Sequence, residues 1–193
     1  MASKIKVDTL ETANGSGTIA LSNQLSGMTT ASLPALGSAQ MPTGSVLQVV
    51  QITSVVQSTS TSGSDVDFLT AAITPTSASS KILISTTFFI GRGNNETYYM
   101  SRNGTKIGGV ATGGGSFISI GSWYNSDEPA ADSAATLLPM NYEYLDSPSS
   151  SSEVTYKIGH MSPNSPTFFI NRPASSSTAG RGTMTLTLTE IKG

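Results

Sequence analysis

The sequence predicts an all-β chain in which an extended arm with a small hairpin precedes an antiparallel sandwich or barrel. Three observations carry that expectation. From Ser45 onward, short runs rich in Val, Ile, Thr and aromatic residues recur between Gly, Pro, Asn and Ser turn signals, the rhythm of many short strands. The closing run "GTMTLTLTEIKG" alternates with period two, placing Met184, Leu186, Leu188 and Ile191 on the inward face and Thr183, Thr185, Thr187 and Thr189 on the other. The opening "SKIKVDTLETANGSGTIAL" sets Ile5, Val7 and Leu10 among polar partners, turns at a Gly/Asn-rich stretch, and resumes with Ile19 and Leu21.

The elements follow in chain order. A two-stranded ribbon over 1–21 is marginal in water by itself, so it calls for a covering surface, from another copy or from a different protein. Residues 22–44 set Leu25, Met28, Leu33, Leu36 and Met41 among Ser, Gly and Pro. Gly27, the adjacent Thr29 and Thr30, and Pro34 oppose a helix there. The stretch reads as an extended linker, ordered by a partner or left as a disordered tether.

The head occupies 45–193. "SVLQVVQITSVVQ" opens it, and "VDFLTAAITP" follows, ended by Pro75. "SKILISTTFFIG" carries apolar residues on both faces, as a central strand does. "ETYYMSRNGTKIGG" is a hairpin turning at Asn103 and Gly104. In "AATLLPMNYEYLD", Tyr142 and Tyr144 share a face and Pro139 marks an edge or a bulge. With "SFISIGSWYN", "SEVTYKIGHM" and "PTFFINRP" the count reaches about nine or ten strands. Pairing between distant strands predicts slow folding.

Composition narrows the function classes. The 193 residues suit one domain plus an appendage. Only 11% are charged and the net charge is -2, so no basic stripe exists to follow a phosphate backbone, and nucleic acid is excluded as a partner. The basic residues are scattered singly, which leaves an electrostatic membrane role unsupported. No apolar run approaches the ~20 residues of a membrane span, so membrane insertion is not expected. Without cysteine there is no disulfide framework or thiolate metal site. The opening residues lack a basic region followed by an apolar core, and the expectation is a cytosolic chain or one exported without such a signal, release by lysis included.

Candidate chemistry is sparse. The single histidine, His160, stands at a strand end with no "GxSxG" elbow in the chain. It is read as a hydrogen-bonded or exposed residue. One His and no Cys leave catalytic zinc without its usual ligands. Asp127, Glu128 and Asp132 in "NSDEPAAD" could pair for glycoside hydrolysis or hold calcium, but they read more simply as a solvated loop. The glycines of "GRGNN" and "VATGGGSF" lead into no helix and make no phosphate cradle. The chain is therefore read as a non-enzyme with no cofactor. Tyr98 and Tyr99 before the "RNGT" turn, and Trp123 and Tyr124 before the acidic loop, are candidate contact platforms. Alternation assigns one of each pair to the core.

The opening segment resembles the N-terminal segment of tail-fibre and related virion proteins of marine and cyanobacterial bacteriophages. There a Lys-Val-Asp-Thr-(Ile/Leu) core precedes an Asn-Gly-Ser-Gly-Thr turn, matched here by Lys6 to Leu10 and Asn14 to Thr18. "ITPTSASSKILI" over 73–84 and "MSRNGTKIG" over 100–108 resemble phage fibre heads with a jelly-roll of the complement-globular-head or tumour-necrosis-factor type. The resemblance implies a homotrimer with a jelly-roll head. It implies docking on a capsid or tail protein of the virion, with Ile5, Val7, Asp8, Leu10, Ile19 and Leu21 as contacts. It further implies host attachment, with Tyr98, Tyr99, Trp123, Tyr124, Asp127 and Glu128 as candidate contacts to a host surface glycan or receptor.

Long tail fibres have a coiled-coil or β-helical shaft that this chain lacks, so its length suits a short capsid fibre or a tail adaptor. Composition agrees with a trimer, since a charge-poor sandwich gains stability when copies bury their sides together. The arm would then wind along the threefold axis with Leu25, Leu33, Leu36 and Met41 turned inward. The alternatives are shell decoration without receptor binding, a tail depolymerase, and a free lectin or adhesin.

Overall fold

Strands form where β-branched and aromatic residues alternate with small polar ones. The computed structural model describes residues 37–91, 96–112, 117–123, 137–161, 167–175 and 180–193. The strands are β1 (Val46–Ser54), β2 (Ser58–Ser60), β3 (Val66–Ile73), β4 (Lys81–Gly91), β5 (Glu96–Arg102), β6 (Thr105–Ile107), β7 (Val110–Thr112), β8 (Phe117–Ser119), β9 (Gly121–Trp123), β10 (Leu137–Asp146), β11 (Val154–Met161), β12 (Phe168–Ile170) and β13 (Met184–Ile191). The set exceeds the expected number because several pieces are only three residues long.

Eight strands carry the architecture, an antiparallel β-sandwich. Sheet A runs β1-β13-β4-β10 and sheet B runs β3-β11-β5-β9, all antiparallel. Taken in chain order, the first of the eight pairs with the last, the second with the seventh, the third with the sixth and the fourth with the fifth. That is a long hairpin rolled onto itself, the jelly-roll connectivity. β12 takes over from β13 beside the far end of β4, and β2 lies next to it. β6 pairs the second half of β5, and β7 with β8 makes a separate hairpin.

β4 is central, as its two apolar faces require. β10 covers one edge from Leu137 opposite Gly91 to Asp146 opposite Ile82, while β13 and β12 share the other. Among the described residues β10 pairs with β4 alone, which agrees with Pro139 marking an edge. Asn103 and Gly104 turn the β5–β6 hairpin with φ of 47° and 84°, the left-handed geometry this pair of residues tolerates. Asn171, buried and at φ 55°, closes the connection between β12 and β13. Its side-chain amide accepts from Gly182 N at 2.8 Å and donates to Gly182 O at 2.9 Å, replacing a rung of backbone pairing.

The core between the sheets is drawn from alternate residues of β3, β4, β5, β11 and β13, with Ile170 of β12. Rings of Phe68, Phe88, Tyr98 and Phe168 meet in sequence at centroid distances of 5.2, 5.3 and 6.4 Å. Burying each such side chain is worth about 1.5–3 kcal/mol.

The last strand departs from expectation at one place. Met184, Leu186 and Leu188 face inward, but Ile191 lies on the outer face and Glu190 is buried. Period two decides this, because a residue five positions after Leu186 cannot share its face. The Glu190 carboxylate is tolerated because Gln48 Nε2 donates at 2.6 Å, and Thr76 N and Oγ1 each donate at 2.7 Å. Burial works against its charge, yet these donors and the nearby Ser80 hydroxyl hold it below the usual carboxylate range. At the same end, Arg102 Nη1 meets both oxygens of Asp146 at 2.9 and 3.0 Å, and Tyr156 Oη donates to Asp146 at 2.7 Å. The trio ties sheet B to β10 of sheet A.

The two ends of the head share one pole. Gly44 N donates to Lys192 O and Lys192 N to Ser45 O, both at 2.8 Å. The Lys192 ammonium donates to Ala39 O at 2.9 Å and to Met41 O. The connections 74–80, 103–104 and 147–153 join strand ends at this pole, whereas 55–65, 92–95, 124–136, 162–167 and 171–183 join strand ends at the other. Ser38–Gly193 form one compact unit.

His160 corrects the reading of an exposed residue. Its alternation on β11 turns it inward, where it is 1% exposed, stacked on Phe168 at 3.9 Å, with Nδ1 unpartnered. Burial pushes its pKa down to about 4, only partly offset by Asp65. The folded chain therefore binds this proton less readily than the unfolded one. Stability is full above about pH 6.5 and falls as pH drops toward 4, by on the order of 3 kcal/mol. Urea denaturation across that window should show the loss, and His160→Phe should flatten it. An unchanged slope in the variant would assign the acid sensitivity to other groups.

Candidate functional site

The outer face of sheet B is organised by one irregularity. Ile158 pairs with Leu69 and Gly159 pairs with Asp67, so Phe68 is an extra residue in β3. Phe68 and Leu69 both pack on the core, and the alternation resumes out of phase. Asp67 and Asp65 consequently point outward; an unbroken period would drive both carboxylates into the core.

On the other side of Gly159 stands Tyr99 of β5. With no side chain at Gly159, the Tyr99 ring lies across it and its hydroxyl donates to Asp67 Oδ1 at 2.7 Å. Lys157 Nζ meets Asp67 Oδ2 at 2.7 Å, and Lys106 Nζ meets Asp65 Oδ2 at 2.8 Å. Lys106 also passes over the Tyr99 ring at 4.7 Å and donates to Met161 Sδ at 3.1 Å. With Ser101 and Gly104, these residues line a shallow open depression of about 420 Å3. Its four charges cancel in pairs. Burial and the bond to Asp67 push the Tyr99 phenol well above its ordinary value, so at neutral pH it is a hydrogen-bond donor and not a base.

A second depression, about 500 Å3, lies at the pole of the termini between Ser38, Ala39, Leu47, Thr76, Ser77, Ser79 and Lys192. Among the described residues no three His, Asp or Glu side chains gather as metal ligands would.

The sequence-derived candidates separate as follows. Tyr98 is fully buried in the core and Tyr99 is 3% exposed, so neither is the contact platform expected of it. The reason is Gly159, which gives the outward-facing Tyr99 a bed to lie in. Trp123 ends β9, paired with Glu96. Met41 is half-buried, its carbonyl held by Lys192. Tyr124, Asp127 and Glu128 lie outside the described residues, as do Ile5, Val7, Asp8, Leu10, Ile19, Leu21, Leu25, Leu33 and Leu36. Sequence reasoning missed Asp65, Asp67, Lys106 and Lys157. The available signal was Gly159, since a glycine inside a strand pattern marks a bulge or a close approach.

No family model and no curated protein sequence matches the chain. Among solved structures, the VP2 subviral particle of infectious bursal disease virus is similar at 12% identity and a TM-score of 0.33, over 83% of this chain and 42% of that one. The chain thus spans less than half of that structure's length.

A Cβ on Gly159 would fall 2.4 Å from Tyr99 Cζ and 2.7 Å from the Val66 carbonyl oxygen. Gly159→Ala should therefore displace the ring, cost about 1–3 kcal/mol in urea denaturation, and return the Tyr99 phenol toward its ordinary pKa in an ultraviolet titration. Unchanged stability and titration would show that the ring does not depend on the glycine.

Proposed function

We propose that the chain is a non-enzymatic structural protein of a phage particle, a short homotrimeric fibre that docks through its N-terminal segment and presents the head for host attachment. The observation that carries this reading is the polarity of the head. The chain enters at the pole where Lys192 clamps Ala39 and Met41, and the longest connections join strand ends at the opposite pole. The start of the compact unit at Ser38 and the strand ends of the opposite pole thus lie at opposite ends of the sandwich. The resemblance of residues 3–21 to phage virion segments supplies the particle.

The outer face of sheet A supports self-association. Its paired rows read Val49–Thr189–Leu83–Leu145, Gln51–Thr187–Ser85–Glu143 and Thr53–Thr185–Thr87–Asn141. Glu143 is the single charge in these three rows, Lys81 opposite Ile191 adds one beyond them, and Val49 and Leu145 are exposed. A weakly charged face of this kind is readily desolvated against other copies. On this reading Ile5, Val7, Asp8, Leu10, Ile19 and Leu21 contact a capsid or tail protein, and the far pole meets the host.

Sedimentation equilibrium of the full chain should return three times the 19.9 kDa of one copy; a monomer at micromolar concentration would remove the trimer. Val7→Asp should leave the head folded by circular dichroism but strip the protein from purified particles. Normal incorporation of that variant would place the dock elsewhere.

A further inference from the structure

We infer that the depression on the outer face of sheet B is a binding site for a neutral sugar ring. It rests on the attachment reading and extends it from the far pole to the side of the sandwich. The walls come from four strands or their entries, with Asp65, Asp67, Tyr99, Ser101, Lys106 and Lys157 converging on one concavity. Asp67 accepts from Tyr99 through Oδ1 and from Lys157 through Oδ2. Each carboxylate oxygen keeps a second lone pair, and the Lys157 ammonium has protons beyond the one it gives Asp67. An acceptor and a donor therefore stand side by side, 2.7 Å apart, on side chains that are 32% and 37% exposed.

Adjacent hydroxyls of a pyranose match that arrangement. One hydroxyl accepts from the Lys157 ammonium while its neighbour donates to the Asp67 carboxylate, and no ion pair has to open. Charged ligands fit less well. An anion must compete with Asp67 for Lys157, and a cation must compete with Lys157 for Asp67, because the charges already cancel in pairs. Flat apolar ligands find no stacking surface, since the Tyr99 ring is 3% exposed and lies under Lys106. Hydrogen bonds to half-exposed groups give weak binding at one head, which several copies would multiply. Self-association through sheet A leaves this face open.

Saturation-transfer NMR on the full chain tests the site with methyl α-D-glucopyranoside, methyl α-D-galactopyranoside and methyl α-D-mannopyranoside. At least one glycoside should show transfer at millimolar concentration. Asp67→Asn and Lys157→Met should each reduce it at least about fivefold, with folding checked by circular dichroism. Glu143→Gln, on the outer face of sheet A, should leave it unchanged. Transfer from none of the three glycosides, transfer indifferent to both variants, or transfer from phosphoethanolamine in their place would overturn the site. Binding of the full chain to host cells, measured in parallel, separates the two readings. Cell binding without glycoside transfer overturns the sugar site and keeps attachment; glycoside transfer without cell binding keeps the site and removes attachment.

Discussion

Sheet A depends on its last strand. β13 lies between β1 and β4 and pairs with both along nearly its whole length; in its absence both strands would face each other across a gap with their N–H and C=O groups unpaired. Buried backbone groups left unpaired are too costly for a stable sheet. The first strand of the head is thus held by the final residues of the chain, at a sequence separation close to the length of the head itself. Loop closure on that scale precedes any reward from pairing, which makes folding slow and cooperative. The same closure brings Lys192 against Ser45 and Met41, so the place of residues 38–45 is set by how the sheet is completed.

Two outer faces of one sandwich have been given different physics. Sheet A presents hydroxyl and amide rows in register, with Gln51 bonded to Thr187, Ser85 to Glu143 and Thr87 to Asn141. Such a surface has little charge to desolvate. Sheet B instead presents two ion pairs laced over Gly159, and the Phe68 bulge is what turns their carboxylates outward. These pairs are partly exposed, so each contributes little to stability. Their effect is on local geometry, because they hold donor and acceptor groups in fixed relation around a depression.

Much of the frame was legible because it rests on local periodicity. The alternation of β13 marked Met184, Leu186 and Leu188 as core, the two apolar faces of β4 marked its central place, and Asn103-Gly104 marked a turn. What stayed hidden depends on pairing. A bulge is a mismatch between two strands, so nothing in "VDFLT" alone announces that Phe68 is the extra residue. Tyr99 could be read as exposed until Gly159 was known to lie beside it. Ile191 misled through its hydrophobicity, where the period of the strand put Glu190 inward. His160 misled in the opposite sense, since a polar side chain at a strand end gives no local sign that it will stack on Phe168 from the other sheet.

The arrangement of the core bears on how such a head can change. Its clustered buried residues all sit on strands, and the buried carboxylates are satisfied close to the pole of the termini, Glu190 by Gln48 and Thr76, Asp146 by Arg102 and Tyr156. Stability is therefore concentrated in the ladders and at the anchored end. Substitutions in exposed connections away from buried networks seldom change stability by much. Of the described connections at the opposite pole, 171–183 holds the buried Asn171–Gly182 pair, whereas Val55 and Val56 in 55–65 are exposed and lie outside the ladders and the clasp at Lys192.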